Sequence, residues 1–302
     1  MSKNLAIVIT GPTASGKSAL AVNLAQKLNT EIISADSRQI YKGIPIVTAV
    51  PTEEEKKGVT HHLLETLELE DYYSASRFEE DSLRIIKDLF KRRDKVVVCG
   101  GSMLYIDTLI KGIDELPTVT PELINSLMAE WKENGDEWLL DRLINLDPVY
   151  YQNSDLKNLK RVFHAVEVSI MANAPYSSLL NKTKPKRDFD ILKVTLSGDR
   201  NYLFDRINRR VLKMIENGLE EEARNVFHLR HLNSLNTVGI KEMFSFFEGK
   251  MTRDEAIQRI QKNTRVYAKK QETWHKRDNS GIKLDFSDDI EKNTESILKE
   301  IK

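Results

Sequence analysis

The sequence has almost no cysteine, since Cys99 is the only one among 302 residues. A single thiol excludes an internal disulfide and a zinc site built from cysteines, and its place in the apolar run VVVC indicates a small buried side chain. Long apolar runs are also missing, because none approaches the roughly 18 residues that a membrane-spanning helix needs. The amino terminus passes directly into a strand-like run, which leaves no room for a signal peptide. We therefore expect a cytoplasmic protein without a membrane segment.

The sequence also lacks net charge, because 46 basic and 46 acidic residues cancel. Overall charge therefore gives no argument for a nucleic-acid partner, but its distribution does. Residues 251–277 carry eight basic and three acidic side chains, whereas acidic residues cluster at 53–55, at 220–222 and after Asp285. A run of charge usually marks only a solvated helix face. For residues 251–277 the alternative is a surface that binds nucleic acid.

The chain alternates between strand-like and helix-like segments. Apolar runs of β type occur at 5–10, 31–33, 95–99, 189–195 and 282–286. Helix-period patterns occur at 17–28, 76–91, 201–216, 218–229, 239–248 and 253–277. This alternation predicts an α/β fold in which helices cover a parallel sheet.

A long section between the third and fourth predicted strands contains no strand-like run. It is bounded by proline-containing segments and shows helical patterns at 121–133, 136–144 and 158–172. We therefore predict a catalytic core of residues 1–115 and 188–302, interrupted by an all-helical insertion domain of residues 116–187.

Residues 11–18, GPTASGKS, match the phosphate-binding pattern G-x-x-x-x-G-K-[ST] between a strand-like and a helix-like segment. Gly11 and Gly16 allow successive amides to turn inward around an anion, and the helix that starts near Lys17 adds its positive end. Lys17 supplies a mobile charge, and the hydroxyl of Ser18 is suited to ligate Mg²⁺. The segment predicts a diphosphate site formed by Gly11, Thr13, Ala14, Ser15, Gly16, Lys17 and Ser18.

Two further polar loops follow predicted strands. Asp36 comes after the second strand, and Ser102 follows two glycines at the end of the third. Because the carboxyl ends of parallel strands meet at one edge of a sheet, we expect both residues near the phosphate loop. Each also has a structural explanation, with Asp36 capping a turn and Ser102 capping a helix. At this point a kinase, an NTPase and a transferase acting on a pyrophosphate ester all remain open.

A series of motifs narrows the choice. In chain order they are GPTASGKS, ADSRQIY, HHLLE with YSASRF, GGSMLYIDTLIKG, VGIKE and NTRVYAKKQETW. In this order and spacing they resemble the tRNA dimethylallyltransferase family, also called isopentenyl-tRNA transferases, over most of residues 5–277. The resemblance implies a P-loop NTPase-like core with an inserted helical lobe. It also implies transfer of the dimethylallyl group from dimethylallyl diphosphate to N6 of the adenosine 3′-adjacent to the anticodon, with no requirement for ATP.

This reaction assigns roles to the loops. Adenine N6 is a weak nucleophile, so its attack on an allylic carbon needs a base, and both the chemistry and the resemblance point to Asp36. Ser102 could orient the amine, while Lys17, the loop amides and Mg²⁺ held through Ser18 would stabilise the leaving diphosphate. The predicted catalytic residues are Asp36, Ser102 and Lys17. The pair Arg206 and Arg210, four residues apart on one predicted helix face, are candidates for further diphosphate or RNA contacts.

The target adenosine must leave its stack, which is easier in an RNA loop than in a duplex. The resemblance places tRNA contacts on the Asp36 loop, on the insertion and on the basic segment near residue 270. The predicted tRNA-binding residues are Asp36, Ser37, Arg38, Gln39, Ser102, Ile124, Lys160, Arg161, His164, Lys241, Arg265, Lys269, Lys270, Gln271, Thr273 and Trp274. The family usually has Thr where this chain has Ser102, and it has Arg at the positions of His164 and Lys270. Some relatives also have a tRNA-contacting Arg at the position of Ile124, so these four positions depart from the pattern.

The predicted partners are the tRNA anticodon stem-loop and dimethylallyl diphosphate, with Mg²⁺ as cofactor and a monomeric protein. Two other enzymes share parts of the pattern. An adenylate isopentenyltransferase would use a free nucleotide as acceptor, and a small-molecule P-loop kinase would transfer phosphate from ATP. A third alternative is a non-catalytic RNA-binding protein, in which Asp36 could be replaced without loss of function. The adjacent pair His61 and His62 is interpreted as structural.

Overall fold

The computed structural model describes residues 4–114, 116–180, 186–278 and 280–301. The chain forms two compact units, the first made of Met1–Ile110 with Arg187–Lys302 and the second of Lys111–Lys186. Within the described residues, no helix is both long enough and apolar enough to cross a membrane.

The first unit contains a sheet of six parallel strands in the order β3-β2-β4-β1-β5-β6. The strands are β1 Leu5–Thr10, β2 Ile32–Ser34, β3 His61–His62, β4 Lys95–Gly100, β5 Asp190–Ser197 and β6 Ile282–Asp285. All six residues of β1 are buried, and this central strand pairs with β4 on one side and β5 on the other. The predicted α/β fold with a parallel sheet is therefore confirmed. Only β3, two residues long, was not predicted as a separate strand.

Fourteen α-helices occur among the described residues, and α6 to α9 belong to the second unit. In chain order they are α1 Lys17–Leu28, α2 Pro45–Thr48, α3 Glu53–Lys56, α4 Ala75–Leu89, α5 Met103–Lys111, α6 Pro121–Leu146, α7 Pro148–Asn153, α8 Leu159–Ala172, α9 Tyr176–Leu179, α10 Arg200–Glu216, α11 Leu219–Asn225, α12 Ile240–Phe247, α13 Arg253–His275 and α14 Ile290–Glu300. The longest helix of the first unit, α13, starts with a capping box in which Thr252 and Glu255 satisfy each other's backbone amides.

The second unit has its own hydrophobic core. Leu139 and Leu143 of α6 pack with Val162 and Val166 of α8, and all four are fully buried or nearly so. The helix α6 is interrupted at Gly135, whose φ of 81° is one that side chains with a Cβ rarely adopt. This interruption lies between the segments 121–133 and 136–144 that the sequence predicts as separate helices.

Candidate functional site

The loop after β1 has the form of a phosphate-binding nest. A Cβ on Gly11 would lie 2.9 Å from the carbonyl oxygen of Leu196 and 3.2 Å from Ser15 Oγ, so only glycine fits there. Gly16 has a φ of 90° and immediately precedes α1. The first amides of a helix have no partner within the helix. The positive end of α1, beginning at Lys17, therefore lies at this loop.

Lys17 is held within the loop, where its Nζ donates to the carbonyl oxygen of Pro12 at 2.7 Å. The pKa of Lys17 is lowered to about 8, mainly by burial and also by the nearby cations Arg210 and Arg206, whereas Cys99 and Asp36 act in the opposite direction. An anion bound in the loop would offset this loss of hydration and favour the charged ammonium. Burial also raises the pKa of the Cys99 thiol to about 12, in agreement with an inert buried side chain.

Both predicted arginines of α10 lie at this loop. Arg210 Nη1 donates to Thr13 Oγ1 at 3.3 Å, and a Cβ on Gly16 would lie 3.5 Å from Arg206 Nη2. Burial lowers the pKa of Arg210, opposed by the charge of Asp36. Together with Ser18 they line a cleft of about 1070 Å³, whose wall carries the cationic side chains Lys17, Lys57, Arg206, Arg209, Arg210 and Lys213.

Asp36 follows β2, as expected from the sequence. Its Oδ1 accepts from the amides of Arg38 at 2.9 Å and Gln39 at 3.3 Å, so this carboxylate does cap the turn. Its charge also reaches the phosphate loop, because it affects the pKa values of Lys17 and Arg210. The two explanations for Asp36 are therefore compatible.

Ser102 connects two of the three loops. Its Oγ accepts from the amide of Ser37 at 2.8 Å and donates to Ser37 Oγ at 3.1 Å, and the residue is only 7% exposed. A Cβ on Gly100, two residues before Ser102, would lie 2.1 Å from the carbonyl oxygen of Ala35, which shows how closely the loops approach. The hydroxyl of Ser102 thus holds the Asp36 loop in place.

Gln271, predicted to contact tRNA, is 1% exposed. Its Oε1 accepts from the amide of Thr13 at 2.8 Å, and its Nε2 donates to the carbonyl oxygen of Gly101 at 2.9 Å. This corrects two expectations. Gln271 is enclosed by protein loops instead of facing RNA, and the Thr13 amide is bonded to Gln271 instead of being directed at an anion.

Several other predicted tRNA-binding side chains make contacts within the protein. Arg38 donates to the carbonyl oxygens of residues 233, 234 and 236, and Gln39 donates to those of residues 48 and 49. Arg265 donates to Asn208 Oδ1, and Trp274 Nε1 donates to Asp107 Oδ2 at 2.7 Å. These side chains hold segments of the protein together near the site. Their positions in the sequence did not show that they make these internal bonds.

The remaining predicted tRNA-binding residues divide between the two units. Ile124 is partly buried and packs against the hydrophobic core of the second unit. The exposed ones in that unit are Lys160, Arg161 and His164, and those in the first unit are Lys241, Lys269, Lys270 and Thr273. His164 also bonds to Glu167 through Nδ1 at 2.8 Å.

Two residues near the site were missed by the sequence analysis. Tyr267 lies one turn before Gln271, and its pKa is raised to about 12, first by burial and then by the charge of Asp36. His275 lies one turn after Gln271, and its pKa is lowered to about 4, mainly by burial and also by Lys193 and Lys17, whereas the backbone of Gly11 acts in the opposite direction. Their spacing of four residues on either side of Gln271 is the signal that would have found them.

The two adjacent histidines lie outside this cleft. His61 Nδ1 lies 2.9 Å from the carbonyl oxygen of Val59, and His62 Nε2 lies 2.7 Å from Glu31 Oε2. Within the described part of the chain, no group of three or more His, Cys, Asp or Glu side chains is arranged to hold a metal ion.

Comparison with known proteins decides the family. A family model described as IPP transferase matches residues 39–278. The chain belongs to the IPP transferase family. Among its relatives, tRNA dimethylallyltransferase 2 of Parabacteroides distasonis is 50% identical over 275 residues, which cover 91% of this chain and 92% of the relative. tRNA dimethylallyltransferase 1 of Bacteroides thetaiotaomicron is 48% identical over 272 residues, covering 90% and 88% of the two chains.

Solved structures agree with this assignment. The full-length tRNA isopentenylpyrophosphate transferase from Bacillus halodurans superposes with a TM-score of 0.72 at 32% identity, covering 99% of this chain and 96% of that one. A eukaryotic dimethylallyltransferase acting on tRNA gives a TM-score of 0.80 at 27% identity, covering 94% and 74%. This member of the IPP transferase family is accordingly an enzyme, a prenyltransferase of tRNA modification, and the alternative assignments as a kinase or a free-nucleotide transferase receive no support.

Proposed function

We propose that this enzyme transfers the dimethylallyl group of dimethylallyl diphosphate to N6 of the adenosine 3′-adjacent to the anticodon of tRNA. The observation that carries the proposal is the joining of a cationic phosphate loop to the Asp36 loop. Lys17 and Arg210 both respond to the charge of Asp36, and Ser102 ties the Asp36 loop to the neighbouring strand end. One site therefore combines cationic groups that would stabilise the leaving diphosphate with a carboxylate that would accept the proton.

On the donor side, the bond between the allylic carbon and the diphosphate oxygen breaks, and its electron pair leaves with diphosphate. Lys17, Arg206 and Arg210 would stabilise the charge that develops on those oxygens, together with the first amides of α1. The loss of hydration that lowers the pKa of Lys17 in the free enzyme favours its pairing with this anion.

The exposed Ser18 hydroxyl lines the same cleft, so the donor set suits Mg²⁺, which commonly keeps several waters and takes its remaining ligands from a substrate phosphate. Ser18 would hold the ion together with the diphosphate oxygens. When bound, Mg²⁺ would neutralise part of the charge on the leaving group.

On the acceptor side, Asp36 would take the proton from N6 as the new carbon–nitrogen bond forms. Its turn-capping bonds fix the carboxylate while Ser102 fixes the loop that carries it, which is the preorganisation that general-base catalysis requires. The partly exposed ring of Tyr267, close enough for its pKa to respond to Asp36, would form one wall of the adenine site.

The tRNA surface of the first unit would be the exposed face of α13, with Lys269 and Lys270. On the second unit it would include Lys160 and Arg161, which are exposed on α8. Phosphate contacts from these side chains would position the anticodon loop without reading its sequence.

The test is an assay with purified protein, Mg²⁺ and dimethylallyl diphosphate labelled in the prenyl group, offered either tRNA or AMP. Label in tRNA and none in AMP supports the proposal, and digestion of the product to nucleosides locates the label on N6. Label transferred to AMP, or phosphate transferred from labelled ATP to a small molecule, would overturn it.

A further inference from the structure

The side-chain amide of Gln271 is buried between two loops of the active site. Gln271 belongs to α13, whose exposed face carries the proposed RNA contacts. The residue itself is 1% exposed. The amide accepts from Thr13 N in the phosphate loop and donates to Gly101 O in the loop that carries Ser102. One side chain therefore bridges the carboxyl ends of β1 and β4.

The orientation of this amide is fixed by its partners. A backbone N–H only donates and a carbonyl oxygen only accepts, so one of the two orientations satisfies both bonds and the flipped one satisfies neither. Space is equally restricted, because a Cβ on Gly101 would lie 2.6 Å from Gln271 Nε2. A side chain at position 101 would therefore displace the Gln271 amide from its bond to the Gly101 carbonyl oxygen.

The bonds continue on both sides of Gln271. On one side, Thr13 Oγ1 accepts from Arg210, which lines the cationic cleft. On the other, Ser102 follows Gly101 directly and bonds to Ser37, next to Asp36. His275, one helical turn further along α13, is close enough to Gly11 for that residue's backbone to affect its pKa. The buried face of α13 therefore lies against the phosphate loop, and Gln271 bonds to it directly.

We propose that Gln271 is a positioning residue for the transfer reaction, holding the diphosphate loop at a fixed spacing from the Asp36 loop. This inference rests on the proposed function for its kinetic consequence, but its effect on anion binding does not depend on the RNA substrate. It assigns α13 two faces with different tasks: the exposed basic face contacts RNA, and the buried face shapes the donor site.

The experiment compares Gln271→Met, which removes both bonds at similar side-chain length, with Gln261→Met in the same helix. Gln261 lies ten residues before Gln271, about 15 Å along the helix axis, and its Nε2 donates to the backbone carbonyl oxygen of Asn208 on α10. Calorimetry measures binding of inorganic diphosphate with Mg²⁺, filter binding measures tRNA affinity, and thermal unfolding tests the fold. We expect Gln271→Met to weaken diphosphate binding and slow single-turnover transfer by about tenfold or more, with tRNA affinity within about twofold.

A second variant, Gln271→Glu, gives a readout that general destabilisation would not. An ionised carboxylate accepts from Thr13 but repels Gly101 O, whereas the protonated form restores both bonds. Diphosphate affinity relative to the unmodified enzyme should therefore recover as the pH is lowered. This variant also decides the matter if Gln271→Met does not fold.

Folded Gln271 variants that bind diphosphate and transfer the prenyl group as the Gln261 variant does would overturn the inference. The inference would also be overturned if the diphosphate affinity of Gln271→Glu, divided by that of the unmodified enzyme, did not change with pH. If the unmodified enzyme binds diphosphate but labels no RNA, the proposed function fails while the binding comparison still tests Gln271.

Discussion

Asp36 shows how one carboxylate serves both structure and chemistry. Its Oδ1 caps the turn after β2, and its charge reaches Lys17 and Arg210 in the phosphate loop. An amide in its place could still accept the capping bond but could not take up the N6 proton.

Asp36→Asn should therefore lower the rate of prenyl transfer by a factor of about 10²–10⁴ while tRNA affinity changes little. Single-turnover transfer and filter binding measure the two quantities. Asp285→Asn is the matched control, because Asp285 also accepts from the amide two residues ahead, at Ser287. Turnover in Asp36→Asn equal to that of the control would remove Asp36 from the mechanism.

Lys17 links donor binding to pH. Its pKa in the free protein is about 8, so the ammonium loses its proton above that pH, and a bound diphosphate would restore it. We expect diphosphate affinity to fall above pH 8, with proton uptake on binding at pH 9. Calorimetry in two buffers of different ionisation enthalpy measures the uptake. Lys17→Arg, permanently charged, should lose this contribution, and an uptake equal to that of the unmodified enzyme would contradict the assignment.

At the scale of elements, α13 is the most informative case. Its sequence alone shows an excess of positive charge, and the structure divides that charge from a buried face formed by residues such as Ala268, Gln271 and His275. The basic side chains that remain exposed are those available to RNA phosphates.

Replacing Lys269 and Lys270 with glutamine should weaken tRNA binding and reduce the slope of log K against log salt by about 1.5, because two fewer counterion-releasing contacts form. Binding titrations at several salt concentrations measure the slope. Lys292→Gln with Lys299→Gln on α14 changes the net charge equally and serves as control. A slope that both double variants alter to the same extent would restrict α13 to a structural role.

Across the whole molecule, the burial of His275 makes stability depend on pH. Its pKa in the folded state is about 4, against about 6.5 in the unfolded chain, so the unfolded state binds more protons between these values. Above pH 6.5 the side chain is neutral in both states, so its titration does not change the free energy of unfolding. As the pH falls from 6.5 towards 4, the free energy of unfolding should decrease by up to about 3 kcal/mol through this residue.

Urea unfolding at a series of pH values between 7.5 and 4 checks this expectation. His275→Gln should make the decrease less steep than in the unmodified protein, whereas His228→Gln, at an exposed position, should not. Equal pH dependence in the unmodified protein and in His275→Gln would show that His275 titrates normally in the folded state.

Elements with a local cause could be predicted from the amino-acid sequence. The apolar runs of the parallel sheet, the glycine-rich phosphate loop and the position of Asp36 at a strand end all follow from short-range patterns, and five of the six strands were predicted within two residues of their bounds. The motif resemblance likewise led to the family that the comparisons identify.

Which polar side chains are free to contact a substrate became clear from the folded structure alone. Gln271, Arg38 and Lys269 all look available in the sequence, yet the first is buried between two loops, the second donates to backbone carbonyls and the third is exposed. Sequence spacing could not show this, because a buried amide or carbonyl group must find a hydrogen-bond partner. Which side chain reaches it depends on segments far apart in the chain: 258 residues separate Gln271 from Thr13.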